Sequence, residues 1–222
     1  MDTAQTPPPD GSSESETPSD RAERPATILG DDGRQRCAWS GADAEYRRYH
    51  DEEWGRPLRG DRALFEKISL EGFQSGLSWI TILRRRDAFR AAFLGFEPEA
   101  VARMGDDDVV RLMSDASIIR NRRKIEATIT NARAVLALDE PLTEIVWRFA
   151  PAPAARPRPR SWSDVPATTA ESTALSAELK SRGFRFVGPT TMYALMQSGG
   201  LVDDHVVGCW RADASATGSA SA

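Results

Sequence analysis

Residues 61–79, DRALFEKISLEGFQSGLSW, show the pattern from which we predict the fold class. Its apolar residues recur at the spacing of one helical face: Leu64, Phe65, Ile68 and Phe73. Asp61 precedes this pattern and can cap the helix, while Gly76 interrupts it. Ser78 can then cap a second helix, SWITILRRRDAFRAAF. The stretch therefore predicts two helices joined by a glycine-containing turn.

The same signals recur along the rest of the chain. Pro98 and Pro189 are each placed to open a helix, and Gly183 is placed to end one. Further helices are predicted in DDVVRLM after Asp106, in RRKIEATITNARAVLAL and in TEIVWRF. Strand-like alternation is nearly absent, and residues 151–166 are too proline-rich for a helix. We predict an all-α fold of many short helices.

Both ends of the chain differ in composition from its middle. Residues 1–33 contain eight acidic residues, two arginines and few apolar residues, and residues 211–222 are mostly Ala and Ser. Such segments cannot bury enough apolar surface to fold. We predict a disordered acidic tail over residues 1–33, a helical domain over residues 34–210, and a disordered tail over residues 211–222.

The formal net charge of −4 comes mainly from the first tail. Residues 34–210 carry 26 Lys and Arg against 24 Asp and Glu, so a modest polyanion-binding patch is allowed. There is no signal-peptide pattern and no apolar run of membrane-spanning length. We expect a cytoplasmic monomer that makes no contact with a membrane.

All the histidines and cysteines of the chain fit one metal site. They are Cys37, His50, His205 and Cys209. Two thiolates and two imidazoles form a closed tetrahedral set typical of structural zinc. His205 and Cys209 are spaced i, i+4, which places both on one face of a helical turn. The alternatives are four unrelated residues, or a Cys37–Cys209 disulfide, which a reducing compartment disfavours.

Glu71 lies on the apolar face with Leu64 and Ile68, followed by a glycine-containing turn and Trp79. A buried carboxylate beside an aromatic ring suits an amine-bearing or cationic base. The helical pattern alone favours a glutamate at a helix end that turns out to solvent. The aromatic residues near Cys37 and His50 are Trp39, Tyr46, Tyr49 and Trp54. They form either a core that supports the metal or a stacking pocket.

Basic residues gather where two predicted helices meet, at Arg120, Arg122, Arg123 and Lys124. Such runs are usually solvated surface. Beside a tight link between helices, they can also hold a phosphate against backbone N–H groups.

Four long blocks resemble the 3-methyladenine DNA glycosylase I (Tag) family. They are RCAWSGADAEYRRYHDEEWG (36–55), LFEKISLEGFQSGLSWITIL (64–83), IIRNRRKIEATITNARA (118–134) and KSRGFRFVGPTTMYALMQSGGLVDDHVVGC (180–209). The resemblance covers essentially all of residues 36–210.

The resemblance implies an all-α helix-hairpin-helix glycosylase fold with one structural zinc on the four His and Cys residues, which joins the N- and C-terminal segments. It implies excision of 3-methyladenine from alkylated double-stranded DNA, without a lyase step. It assigns Glu71 as the catalytic and base-binding acid and Tyr49 as a base contact. The other pocket residues would be Trp79, Trp39 and Tyr46. The DNA-contacting residues would be Gln74, Leu77, Arg120, Arg122, Arg123 and Lys124.

The hairpin over residues 117–124 departs from the family pattern, because Ser117 and Arg123 stand where glycines are usual. Without those glycines the approach of backbone amides to a phosphate changes, and the charge of Arg123 can compensate. Rival hypotheses are a module that binds alkylated bases without turnover, a zinc hydrolase with an open metal site, and a scaffold whose aromatic residues only form a core.

Overall fold

The computed structural model describes residues 25–152 and 157–212. These residues are mostly helical, with ten α-helices and one two-stranded sheet in the described ranges. The strands are β1 (Thr27–Leu29) and β2 (Gln35–Cys37). The first helices are α1 (Ala44–Glu52), α2 (Asp61–Gln74), α3 (Trp79–Leu83), α4 (Arg86–Ala92) and α5 (Pro98–Ala102). The others are α6 (Asp106–Ser114), α7 (Arg122–Leu136), α8 (Leu142–Trp147), α9 (Ala170–Ser181) and α10 (Pro189–Ser198).

The predicted helix boundaries are largely confirmed. Pro98 and Pro189 occupy first-turn positions, and Gly183 follows α9 with a φ of +90°. The single helix predicted after Ser78 is instead two helices, α3 and α4, which meet at Arg84 and Arg85. Among the described residues, every helix is too short or too polar to span a bilayer.

The predicted boundary at residue 34 is wrong, because order begins earlier. Residues 27–29 pair antiparallel with residues 35–37, with Thr27 opposite Cys37. Gly33, with a φ of +77°, closes the turn between the strands. Ala212 is also buried, so the ordered chain passes residue 210. The disorder predicted for residues 1–24 and 213–222 lies outside the described residues.

Helix α2 lies at the centre of the fold. It packs against α3, α7, α8 and α10, and it buries Leu64, Phe65, Ile68 and Phe73 almost completely. These are the residues whose spacing predicted the helix. Burial of each large apolar side chain contributes roughly 1.5–3 kcal/mol. Packing on several sides therefore fixes the α2 backbone and the direction in which each of its side chains leaves the helix.

Asp61 caps a helix other than the predicted one. The N-cap of α2 is Gly60, and the Asp61 carboxylate accepts hydrogen bonds from the backbone N–H groups of Leu142 (3.1 Å) and Thr143 (2.9 Å) at the start of α8. The Thr143 hydroxyl donates a third, at 2.7 Å. One side chain thus joins the starts of two helices that are far apart in sequence.

Asp61→Ala should lower the free energy of unfolding by about 1 kcal/mol, the usual cost of losing a helix cap. Urea denaturation followed by circular dichroism measures this change. Asp87→Ala is the matched control, because the Asp87 side chain is 96% exposed. Equal stability of the two variants would show that the capping contacts contribute nothing measurable.

Candidate metal centre and base pocket

The four predicted ligands lie together in the interior. Cys37, His50, His205 and Cys209 are at most 2% exposed, and their ligand atoms all lie within 4.8 Å of one another. The Sγ–N distances are 3.6 Å for Cys37–His205, 3.4 Å for Cys209–His50 and 3.6 Å for Cys209–His205. A tetrahedron with metal–ligand bonds of 2.0–2.3 Å has edges of about 3.6 Å. The group therefore fits a tetrahedrally coordinated metal ion.

Three separate segments bring these ligands together. Strand β2 supplies Cys37, helix α1 supplies His50, and the chain after α10 supplies the other two. The helical turn predicted for His205 and Cys209 is wrong: residues 203–209 form an irregular segment with a turn at Gly208, whose φ is +85°. Both cysteines are free, so the disulfide alternative is also wrong.

Asp51 orients the His50 ring. Its Oδ1 atom lies 2.8 Å from His50 Nδ1, which leaves Nε2 facing Cys209. Asp51 is itself held by the Arg36 guanidinium, with a shortest contact of 2.7 Å, and by Trp210 Nε1 at 3.1 Å. A carboxylate behind a histidine sets its tautomer and raises its basicity as a ligand. The arrangement prepares His50 Nε2 to coordinate a cation.

An aromatic cluster joins this centre to Glu71. The Trp39 ring lies 5.3 Å from the His50 ring and 5.1 Å from the Tyr46 ring, between centroids. Tyr49 lies 6.4 Å from Tyr46 and 5.4 Å from Trp79. Trp39 contacts the His50 ring, and Tyr49 and Trp79 both contact Lys67, which is paired with Glu71.

Glu71 is buried and does not turn out to solvent. It is 4% exposed, and its Oε1 atom accepts a hydrogen bond from the Ser198 hydroxyl at 3.0 Å. Lys67, one helical turn earlier, places its Nζ atom 3.1 Å from the same oxygen. A buried carboxylate is tolerated only when it is paired in this way. The alternative of a solvent-facing glutamate is therefore excluded.

Two of the neighbouring rings carry polar groups, the Tyr49 hydroxyl and the Trp79 Nε1–H. Burial, with the Glu71 charge, raises the pKa of the Tyr49 phenol well above its usual range, so Tyr49 stays protonated. The Trp79 Nε1–H group is buried and has no acceptor among the described residues. Buried donors normally have partners. A bound molecule with an acceptor atom would provide one.

Gln74 and Leu77 lie at the turn between Glu71 and Trp79 along the chain. The Leu77 N–H donates to the Gln74 carbonyl at 2.6 Å, and Gly76 between them has a φ of +82°. Both side chains are half-buried, while Ser75 and Gly76 are exposed. The turn therefore presents two neighbouring side chains next to the pocket at the surface.

Lys124 holds this turn, which corrects its predicted role as a phosphate contact. Its ammonium donates to the carbonyls of Phe73 (2.8 Å) and Ser75 (2.7 Å), and the residue is 7% exposed. Burial lowers its pKa. An ammonium with two carbonyl acceptors inside the protein is not directed toward a ligand in solvent.

The three predicted arginines remain at the surface. Arg120, Arg122 and Arg123 are exposed, and Arg122 pairs with Glu126 at 3.3 Å. The link between α6 and α7 that carries Arg120 is held by Arg85, which donates to the Ala116 and Ser117 carbonyls at 3.0 Å each. The exposed guanidinium groups of Arg120 and Arg123, beside this fixed link, can contact a polyanion.

Three polar residues of the site were not predicted from the sequence. Lys67 was detectable, because it precedes Glu71 by four positions, the spacing of a helical ion pair. Asp51 was detectable as the carboxylate next to His50. Ser198 gave no local signal, because it reaches Glu71 from 127 positions away.

Solved structures that share this fold are DNA glycosylases. A crystal structure of 3-methyladenine DNA glycosylase I matches with a TM-score of 0.75 and 47% identity, over 79% of this chain and 98% of that one. The Staphylococcus aureus enzyme matches with a TM-score of 0.73 and 35% identity, over 79% and 95%. The chain thus has the fold of an N-glycosylase, a hydrolase of N-glycosidic bonds.

The sequence comparisons specify the family. The methyladenine glycosylase model matches residues 39–212. DNA-3-methyladenine glycosylase 1 of Escherichia coli (strain K12) is 49% identical over 178 residues, which are 79% of this chain and 95% of the relative. The Haemophilus influenzae enzyme is 47% identical over 180 residues, which are 78% of this chain and 96% of that relative. The chain belongs to the methyladenine glycosylase family, which confirms the resemblance seen in its sequence.

Lys124→Met should lower the free energy of unfolding by about 1–3 kcal/mol, because it leaves two carbonyl groups without their donor. The salt dependence of DNA binding should stay unchanged, since Lys124 faces inward. Arg123→Ala is the control with the opposite pattern: its stability should stay within about 0.5 kcal/mol of the parent, and its salt dependence should weaken. A weaker salt dependence of DNA binding for Lys124→Met would show that Lys124 does contact phosphate.

Proposed function

We propose that this protein removes 3-methyladenine from alkylated double-stranded DNA by hydrolysing the N-glycosidic bond of a flipped nucleotide, without a lyase step. The observation that carries the proposal is the buried Glu71 carboxylate beside Tyr49 and Trp79. The relatives are named for 3-methyladenine, and one related structure is a complex with that base.

Glu71 recognises the base by charge and hydrogen bonding. Methylation at N3 makes the adenine of the nucleotide a cation, which a carboxylate stabilises and an aromatic face accepts. Tyr49 and Trp79 supply such faces, and the unpartnered Trp79 N–H can donate to a ring nitrogen. An unmodified purine lacks the charge and leaves the buried carboxylate poorly paired, at a cost of about 1–3 kcal/mol.

The chemistry needs little acid catalysis. The bond to a cationic base is already weak, and the base leaves as a neutral molecule that takes the bonding electron pair. The sugar becomes an oxocarbenium-like species that water captures. Glu71 holds the base and places negative charge near the developing cation. Its pairing with Lys67 and Ser198 keeps the carboxylate oriented before the substrate arrives.

We assign nucleotide flipping and binding of the DNA backbone to the surface next to Glu71. Extrusion of a nucleotide costs a few kcal/mol, less for a damaged base. Gln74 and Leu77 stand at the turn beside the pocket, where they can fill the gap that the base leaves in the stack. Arg120, Arg122 and Arg123 supply phosphate contacts from the link of a helix-hairpin-helix.

The metal centre holds zinc in a structural role. Two sulfur and two nitrogen ligands at tetrahedral spacing suit Zn²⁺, and four protein ligands leave no position for a catalytic water. When bound, the ion joins the two ends of the domain and takes no part in the reaction. This argues against the zinc hydrolase hypothesis.

Free 3-methyladenine should be released from methylated duplex DNA, as measured by chromatography of the soluble products.

Glu71→Gln should bind the free base more weakly by about 1–3 kcal/mol, the contribution of a charge-assisted hydrogen bond. Calorimetry measures this change. The variant should bind unmodified DNA as the parent does, because that contact is to phosphates.

Glu66→Gln is the matched control on the same helix. Glu66 pairs with Arg90 at 2.7 Å, and its loss should leave base affinity unchanged. If the protein binds the free base but releases none from methylated DNA, the hypothesis of a binding module without turnover is favoured. Borohydride trapping of a protein–DNA adduct would contradict the absence of a lyase step.

Purified protein should contain one zinc per chain by elemental analysis. Cys209→Ser should lose the metal and several kcal/mol of stability, since metal binding is coupled to folding. Asp51→Asn keeps all four ligands but weakens the orientation of His50, so zinc affinity should fall 10- to 100-fold. A parent protein without stoichiometric metal, purified without chelators, would overturn the zinc assignment.

A further inference from the structure

The Lys67 ammonium contacts every group that the proposed function assigns to base recognition around Glu71. Its Nζ atom lies 3.1 Å from Glu71 Oε1, 3.0 Å from the Tyr49 hydroxyl and 3.7 Å from the centre of the Trp79 ring. The ammonium is therefore a cation over an aromatic face, paired with a carboxylate. This is the environment that a positively charged base requires.

The pocket is closed in this conformation. Tyr49, Glu71 and Trp79 are 3–5% exposed, so a base cannot reach them without a rearrangement. Tyr49 is packed against Tyr46 and Trp39, and the Glu71 backbone lies in the central helix. Lys67 has the longest and most flexible side chain of the group, and that side chain is 11% exposed. It is the group that can move with the least loss of packing.

We propose that Lys67 blocks the base pocket in the free protein and moves toward solvent when the damaged base enters. This inference rests on the proposed function. The Lys67 ammonium and a cationic base cannot both lie against Glu71 and Trp79, because two like charges a few ångströms apart repel each other strongly in a buried site. One cation therefore replaces the other.

This exchange makes Lys67 a specificity-determining residue. Glu71 stays paired with a positive charge before and after the replacement by a cationic base, so the buried carboxylate is not left alone. A neutral, undamaged base has to displace the same ammonium and supplies no charge in return. Lys67 therefore lowers the affinity of the site for ordinary, neutral purines.

The first test uses calorimetry with the 3,9-dimethyladeninium ion, which carries the positive charge that methylation gives the base of the damaged nucleotide. Lys67→Met retains the length of the side chain and removes its charge, and it should bind the base at least threefold more tightly than the parent. Lys67→Arg retains the charge and should bind no more tightly than the parent. Lys180→Met is the matched control, because Lys180 is exposed on α9, and it should behave as the parent.

If Lys67 is instead a fixed partner of Glu71, the first test gives the opposite change in affinity. If Lys67 stays in place and supports the carboxylate, Lys67→Met binds the base more weakly, and either weaker or unchanged affinity overturns the inference. Binding by the parent with either result leaves the proposed function intact. Absence of binding by the parent and by all variants contradicts the proposed function itself, and the inference falls with it.

The second test uses the unmodified protein, so it does not depend on the folding of a variant. The chain has three lysines, Lys67, Lys124 and Lys180. Acylation by an amine-reactive ester, followed by peptide mass spectrometry, measures the reactivity of each. Saturating 3,9-dimethyladeninium should raise the rate at Lys67 at least threefold and leave Lys180 unchanged. An unchanged or lower rate at Lys67 in the complex shows that the side chain does not leave, and overturns the inference.

Discussion

A carboxylate buried in the central helix is the constraint on which the rest of the site depends. Glu71 is surrounded on α2 by residues that pack against four other helices, so it cannot turn outward. Its charge is stabilised by Lys67 from its own helix and by Ser198 from α10. Because an unpaired carboxylate would cost several kcal/mol, the Ser198 contact also holds α10 against α2. The proposed recognition group is therefore held by the same contacts that pack the core.

The metal centre and the base pocket share a wall. Trp39 contacts His50 on one side and Tyr46 and Tyr49 on the other, so the rings that face Glu71 rest on rings that support the metal ligands. Interiors packed at this density transmit small displacements. A change at the Cys and His cluster is thus expected to reach the pocket through Trp39.

The sequence predicted the elements whose signals are local. Helix α2 follows from its apolar spacing, α5 and α10 from their prolines, and the metal ligands from the small His and Cys inventory. Contacts between distant segments could not be predicted in the same way. Asp61 caps α8 from 81 positions away, and Lys124 donates to carbonyls some 50 positions earlier. Strands β1 and β2 have three residues each, too few to show alternation.

The distance between the cluster's members along the chain has a consequence for biosynthesis. Cys37 and His205 are 168 positions apart, so the cluster cannot assemble until almost the whole polypeptide has left the ribosome. At roughly 5–20 residues per second, Cys37 waits on the order of ten to thirty seconds for its partners. During that interval its thiol is open to oxidants. A chain that ends before Cys209 keeps Glu71 and its helix but never joins its two ends.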